Sequence, residues 1–142
     1  MDDLRVETID HVELFVPDRY EAAAWYRRVL GLEIVAEHEG WAEHPEGPLM
    51  ISSDGGRTML ALFTGEPQAS RPTAGFHRVA FRVGGDAFLA FRDRLQSLQE
   101  VEAVLRDHDK AWSLYFSDPW GHRLEVTTYD YAVAAERLRS ER

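Results

Sequence analysis

The stretch that decides the fold is IDHVELFVPD, residues 9–18. Aliphatic side chains stand at positions 12, 14 and 16, whereas the alternate positions carry His11, Glu13 and Phe15. A period of two is typical of a strand whose two faces meet different surroundings. The segment therefore predicts a strand with one face on a helix layer and the other turned toward a polar space.

The residues after this strand predict a helix with marked ends. Asp18 can accept a hydrogen bond from the first turn, and Glu21 follows three residues later, as in a capping box. Gly31 can end the helix in the left-handed conformation. Large side chains recur between these residues at helical spacing, and further strands are predicted at 32–37, 49–52 and 58–63.

The same order of elements begins again after the linker-like residues 65–75. We predict a strand at 77–83, a helix at 87–98 opened by Asp86, strands at 101–105, 111–117 and 123–128, and a helix at 131–142. A shift of 66 residues also places Phe15 on Phe81 and Arg28 on Arg94. The sequence predicts a single α+β domain, residues 1–142. Two tandem βαβββ modules (about 5–65 and about 75–130) form a concave mixed sheet around a central cavity, with helices outside.

The composition limits the classes of partner. A chain of 142 residues suits one domain, and it contains no cysteine, which fits a reducing compartment. The formal net charge of -9 opposes attraction to nucleic acid or anionic lipid. No apolar run is long enough for a membrane span, and the first residues do not resemble a secretion signal. We expect a cytoplasmic protein whose partners are small molecules, not nucleic acid or membrane.

Two residues are candidates to hold a metal. Leu124 and Val126 should face the helix layer, so Glu125 should point into the cavity, and His11 has the same inward position on the first strand. A neutral imidazole and a carboxylate in one pocket can bind a divalent cation. The alternative is that His11 makes a polar core contact and that Glu125 pairs with an arginine.

Two motifs resemble the vicinal oxygen chelate superfamily, which includes glyoxalases, bleomycin-resistance proteins, fosfomycin thiol transferases and extradiol dioxygenases. Residues 9–18, followed by Trp25-Tyr26 and LGL at 30–32, resemble the opening of its first module. SLYFSDPWGHRLE, residues 113–125, resembles the closing motif of its second module. The resemblance spans the chain up to about residue 130 and implies the two-module fold.

The resemblance also implies a metal site. Family ligands come from the first strand of each module and from the last strand of the second, which His11 and Glu125 match. At the third position, aligning LFV at 14–16 with FRV at 81–83 places Arg78 rather than His77. A bulge could turn His77 inward, whereas Arg78 would oppose a metal and favour an anion. The metal would be Fe(II), with Mn(II) or Zn(II) as alternatives, and a metal-free site is also open.

The run from His108 through Tyr115 to Glu125 resembles the extradiol dioxygenase signature, although Arg106 departs from it. In such enzymes the histidine is the acid–base residue and the tyrosine orients the substrate. We therefore predict His108 and Tyr115 as catalytic residues. The alternative places His108 on an exposed charged loop, with Tyr115 only lining the cavity.

Substrate contacts are predicted for Arg78, Glu13 and Phe15, with Glu13 paired to Arg78, and the substrate would be aromatic or anionic. The leading hypothesis is an enzyme resembling a one-domain extradiol dioxygenase. The second is another metal-assisted lyase, isomerase or thiol transferase of the glyoxalase family. The third is a metal-free, ligand-sequestering protein of the bleomycin-resistance kind. Members with two modules in one chain often pair, so the resemblance also implies a homodimer.

Overall fold

The structure, a computed structural model, describes residues 4–5, 7–66 and 77–141. The chain divides into two compact units, Met1–Pro72 and Thr73–Arg142. Each unit contains a four-stranded mixed sheet accompanied by helices, which confirms the predicted α+β class with two similar modules. Most of the predicted linker at 65–75 lies outside the described residues.

The first unit follows the predicted strand–helix–three-strand order with one addition, a 3₁₀ helix. Its sheet has the strand order β1-β4-β3-β2, in which β1 runs parallel to β4 and the other neighbours are antiparallel. In chain order its elements are β1 (His11–Val16), α1 (Arg19–Leu30), β2 (Glu33–Ile34), the 3₁₀ helix (Ala36–Glu43), β3 (Leu49–Ser52) and β4 (Met59–Thr64).

The second unit repeats this topology. Its strand order is β5-β8-β7-β6, again with the first strand parallel to the last and the remaining pairs antiparallel. No helix within the described parts of the chain is long and apolar enough to cross a membrane. In chain order its elements are β5 (Val79–Arg82), α2 (Gly85–Ser97), β6 (Val104–Asp107), β7 (Trp112–Ser117), β8 (Arg123–Thr128) and α3 (Tyr131–Ser140).

Helix α1 begins and ends where the sequence predicts. The Asp18 side chain accepts a hydrogen bond from the backbone N–H of Glu21 at 3.0 Å. Gly31 adopts φ 75°, and its N–H donates to the carbonyl of Arg27 at 3.0 Å. Both ends thus satisfy backbone groups that a helix leaves open.

Each sheet buries one face in an apolar core. In the first unit Leu14 and Val16 of β1 and Leu60 and Leu62 of β4 are almost fully buried, together with Tyr26 and Val29 of α1, as the alternation predicts. In the second unit Leu114, Leu124 and Val126 are almost fully buried together with Phe88 and Leu95 of α2. The opposite face of the second sheet is left for polar side chains, whereas that of the first sheet also buries Met50, Met59 and Ala61 next to Phe63.

Three predicted elements need correction. Strand β2 spans only Glu33–Ile34, because the 3₁₀ helix begins at residue 36, so the predicted strand at 32–37 is too long. Strand β6 begins at Val104 rather than at 101. Asp86 does not cap α2: Gly84 is the capping position, and the Asp130 carboxylate accepts from the N–H of Gly85 at 2.8 Å.

Candidate functional site

Glu125 lies at the centre of the polar face of the second sheet. Its neighbours on β8, Leu124 and Val126, are fully buried on the helix side, while Glu125 is half-buried on the other side. The strand register pairs Glu125 with Tyr115 of β7 and with Ala80 of β5. Side chains of three neighbouring strands therefore share one face with this carboxylate.

A buried serine, which the sequence analysis did not single out, holds Glu125 in place. The Ser113 hydroxyl donates to Oε2 of Glu125 at 2.8 Å and lies 3.1 Å from the hydroxyl oxygen of Thr127. Only 1% of Ser113 is exposed. Alternation along the strand, which places Ser113 on the same face as Tyr115, was the available signal in the sequence.

His108 and Tyr115 form a hydrogen-bonded pair on the same face. His108 Nε2 and the Tyr115 hydroxyl are 2.8 Å apart, and the two rings meet edge to face. The turn between β6 and β7 positions the imidazole, because the N–H of His108 donates to the carbonyl of Ala111 at 2.8 Å. The structure therefore brings together the two residues predicted as catalytic, with His108 at the exposed end and Tyr115 half-buried.

Arg78 completes a cluster around the Tyr115 ring. Its guanidinium carbon lies 4.5 Å from the ring centroid, within cation–π distance. Its Nε is buried and lacks a hydrogen-bond partner in the described structure. No carboxylate in the described part of the second unit forms an ion pair with Arg78.

His77 is separate from this cluster. It is exposed, precedes β5, and its Nδ1 accepts a hydrogen bond from Nη1 of Arg123 at 2.7 Å. The partner of His77 is thus a cation, which does not favour a metal on the same nitrogen. This geometry agrees with the alternation argument, which gives the inward position to Arg78.

The predicted residues of the first unit lie on one face of β1. His11 Nδ1 is 2.8 Å from Oδ2 of Asp10, and its Nε2 is 3.0 Å from Oε2 of Glu13. These hydrogen bonds, that of Asp10 first and then that of Glu13, raise the pKa of His11 above its ordinary value. Phe15 packs against Phe63 with ring centroids 6.2 Å apart. The predicted Glu13–Arg78 pair would join the two units and stays a prediction.

The second unit presents Arg78, and not a metal ligand, at the position where the resemblance implies the third ligand. Within the ranges 4–5, 7–66 and 77–141 no group of three His, Asp or Glu side chains is arranged to hold a metal ion. Arg78 cannot ligate a metal, because a guanidinium has donors and no acceptor. Both ring nitrogens of His11 already contact carboxylates, Asp10 at 2.8 Å and Glu13 at 3.0 Å, whereas a metal ligand needs a free lone pair on one of them. The ligand roles of His11, Glu125 and His77 stay predictions.

Residues 8–126 match the family model of the Glyoxalase/Bleomycin resistance protein/Dioxygenase superfamily. The chain belongs to this superfamily. The match covers both units and confirms the resemblance inferred from the motifs at 9–18 and 113–125. Among curated proteins, no sequence matches the chain significantly.

Several solved structures share the fold. An integron cassette protein from the mobile metagenome of the Halifax Harbour sewage outfall is 23% identical, covers 87% of this chain and 99% of its own, and has a TM-score of 0.64. A lactoylglutathione lyase from Agrobacterium tumefaciens is 25% identical, with 88% and 96% covered and a TM-score of 0.63. The fosfomycin resistance protein FosX from Listeria monocytogenes, solved with Mn(II) and sulfate, is 17% identical, with 94% and 99% covered and a TM-score of 0.65.

Proposed function

We propose that this protein is a small-molecule enzyme of the superfamily in which His108 and Tyr115 transfer a proton on the polar face of the second sheet. The observation that carries the proposal is the 2.8 Å hydrogen bond between His108 Nε2 and the Tyr115 hydroxyl. An imidazole in direct contact with a phenol can pass a proton in either direction, and His is the commonest acid–base residue. The pair stands beside Glu125, the register partner of Tyr115.

The surroundings give each member of the pair a distinct role. His108 is exposed, so its imidazole can exchange protons with solvent. Tyr115 is half-buried, and its hydroxyl is the group that would touch an oxygen atom of the substrate. Glu125, fixed by Ser113, supplies a hydrogen-bond acceptor next to the same ring. The arrangement suits chemistry in which a proton leaves or joins an oxygenated carbon skeleton, as in an isomerase or a lyase.

Dioxygenase chemistry remains a prediction from the resemblance. Fe(II), or Mn(II) or Zn(II) for a different metal-assisted reaction, would bind an oxygenated substrate and polarise it. His11 and Glu125 would be the nitrogen and oxygen ligands. Arg78 stands at the position where the third metal ligand is expected. We therefore assign the proton transfer to His108 and Tyr115 and include no metal in that step. The Mn(II) of FosX belongs to a protein only 17% identical to this chain.

A metal-free binding protein is the second candidate, and one observation favours it. The guanidinium of Arg78 stacks on an aromatic ring, and its Nε is buried without a hydrogen-bond partner. Such a group can recognise a ligand without any chemical reaction of that ligand. Sequestration would need neither the His108 imidazole nor the Tyr115 hydroxyl. Location in the cytoplasm and pairing into a homodimer also remain predictions.

The test compares His108→Gln and Tyr115→Phe with the wild-type chain. The substrate panel contains catechols, followed by dioxygen uptake, and oxygenated acids, followed by isomerisation or elimination. Both variants should lower turnover of an accepted substrate by about 10²–10⁴-fold, the usual contribution of acid–base catalysis. His44→Gln, at an exposed histidine of the first unit, is the control and should retain activity. Retained activity in both test variants would contradict the proposal, and binding without turnover would favour the second candidate.

A further inference from the structure

Arg78 differs from Arg92 and Arg137, two arginines of its unit that form ion pairs in the described residues. Arg92 is 7% exposed and is neutralised by Glu141, with 2.6 Å between Nη1 and Oε2, and by Asp93 at 3.0 Å. Arg137 contacts the same two carboxylates. Arg78 has no carboxylate partner in the described part of this unit, and its Nε is buried without a hydrogen bond. Since an unpaired guanidinium is costly to withdraw from water, this group is poised to bind an anion.

The polar face around Arg78 carries positive charge in a chain whose net charge is -9. By strand register, Arg82 lies opposite Thr127, and Arg106 lies opposite Ser113 on the Glu125 side. Glu125 is the single carboxylate among the strand positions of this face, all of which belong to the described residues. Asp107 lies on the other face, where both its oxygens accept from the Tyr131 hydroxyl. The local field thus favours a negative ligand.

We propose that Arg78 binds an oxyanion of the substrate, a carboxylate or a phosphonate, through its guanidinium. A guanidinium matches the two oxygens of such a group with parallel N–H donors. Stacking on the Tyr115 ring holds the guanidinium near the hydroxyl that meets His108, so the anion is anchored beside the proton-transfer pair. This inference deepens the proposed function because it names a substrate class. It rests on the proposed function only for the position of the reacting group, which would lie next to His108 and Tyr115.

The test is calorimetric titration of the full chain with benzoate, a planar carboxylate, and with methylphosphonate, a tetrahedral oxyanion. The wild-type protein should bind at least one of them at a single site. Arg78→Gln should weaken that binding by about tenfold or more, the value of a charge-assisted hydrogen bond, and Arg78→Lys should weaken it less. Arg82→Gln is the matched control from the same face, because Arg82 stacks on Tyr129 rather than on the ring that meets His108, and it should change affinity less than about threefold.

The outcomes separate this inference from the proposed function. Equal binding by Arg78→Gln and wild type, or no binding of either probe by folded wild-type protein, overturns the inference. Tyr115→Phe keeps the aromatic ring and should keep anion binding while it lowers turnover. If Tyr115→Phe and His108→Gln are fully active but Arg78→Gln loses the anion, the proposed function fails and the inference stands. Circular dichroism of each variant checks that a loss of binding is not a loss of fold.

Discussion

Replacement of Ser113 by alanine should destabilise the second unit by about 1–2 kcal/mol. The Ser113 hydroxyl donates to Glu125 at 2.8 Å, and a hydrogen bond to a charged group is worth about 1.5–3 kcal/mol when both groups are buried. Ser113 is 1% exposed, but Glu125 is only half-buried, so water recovers part of the loss. The expected loss therefore lies around and somewhat below the low end of that range, at about 1–2 kcal/mol.

Urea unfolding measures this change. With a slope of about 1.5 kcal/mol per molar urea for a chain of this size, the midpoint of Ser113→Ala should fall by about 1 M and the slope should stay the same. Ser97→Ala is the control, since Ser97 is exposed and its hydroxyl bonds only to the carbonyl of Arg94, and it should change stability by about 0.5 kcal/mol or less.

A double-mutant cycle decides whether the effect runs through Glu125. If the hydroxyl acts on the carboxylate, Ser113→Ala should lower the unfolding free energy much less in a Glu125→Gln background than in the wild type, because the charged acceptor is already gone. Additive losses, or an unchanged midpoint for Ser113→Ala alone, would refute the reasoning that Ser113 holds Glu125 in place.

Three further changes test other parts of the structure. Tyr115→Phe should leave the unfolding free energy within about 1 kcal/mol of wild type in the urea assay, because the hydroxyl meets an exposed imidazole; a larger loss would mean that the pair is structural. Gly85→Ala should lower the melting temperature, since the new Cβ would lie 2.8 Å from Cγ1 of Val133, whereas Gly40→Ala meets open space; equal melting temperatures would contradict this. The loss of unfolding free energy caused by His11→Gln should be larger at pH 6 than at pH 8.5. The raised pKa of His11 stabilises the fold at pH values below the ordinary pKa of about 6.5, and this stabilisation disappears as the pH rises through the raised pKa. A difference between variant and wild type that does not depend on pH in urea unfolding would count against the His11 contacts.

Local sequence patterns were sufficient where the structure depends on local physics. The period of two in β1 and β8 predicted the buried faces, and the same pattern placed Glu125 and Arg78 on one side of the second sheet. Asp18 and Gly31 bracket α1 as predicted, because caps satisfy backbone groups within a few residues. The sequence therefore predicted the fold and the strand face of the candidate site.

Features that depend on distant residues were not predictable in this way. The first N–H of α2 bonds to Asp130, 45 residues away, so no local capping pattern could reveal it. The 3₁₀ helix at Ala36–Glu43 follows the two-residue strand β2 at Glu33–Ile34, and the spacing of apolar residues does not show where the strand ends and the helix begins. The partner of Ser113 depends on the register of β7 with β8, which only the folded sheet defines.

The central claim is that the second unit presents a guanidinium, and not a third metal ligand, beside the proton-transfer pair. The most direct test is the metal content of purified protein after anaerobic loading with Fe(II), Mn(II) or Zn(II), compared between wild type and Glu125→Gln. The account predicts metal well below one equivalent in the wild type, with no difference in the variant. Near-stoichiometric metal that Glu125→Gln abolishes would contradict it and would restore the metal-dependent dioxygenase hypothesis.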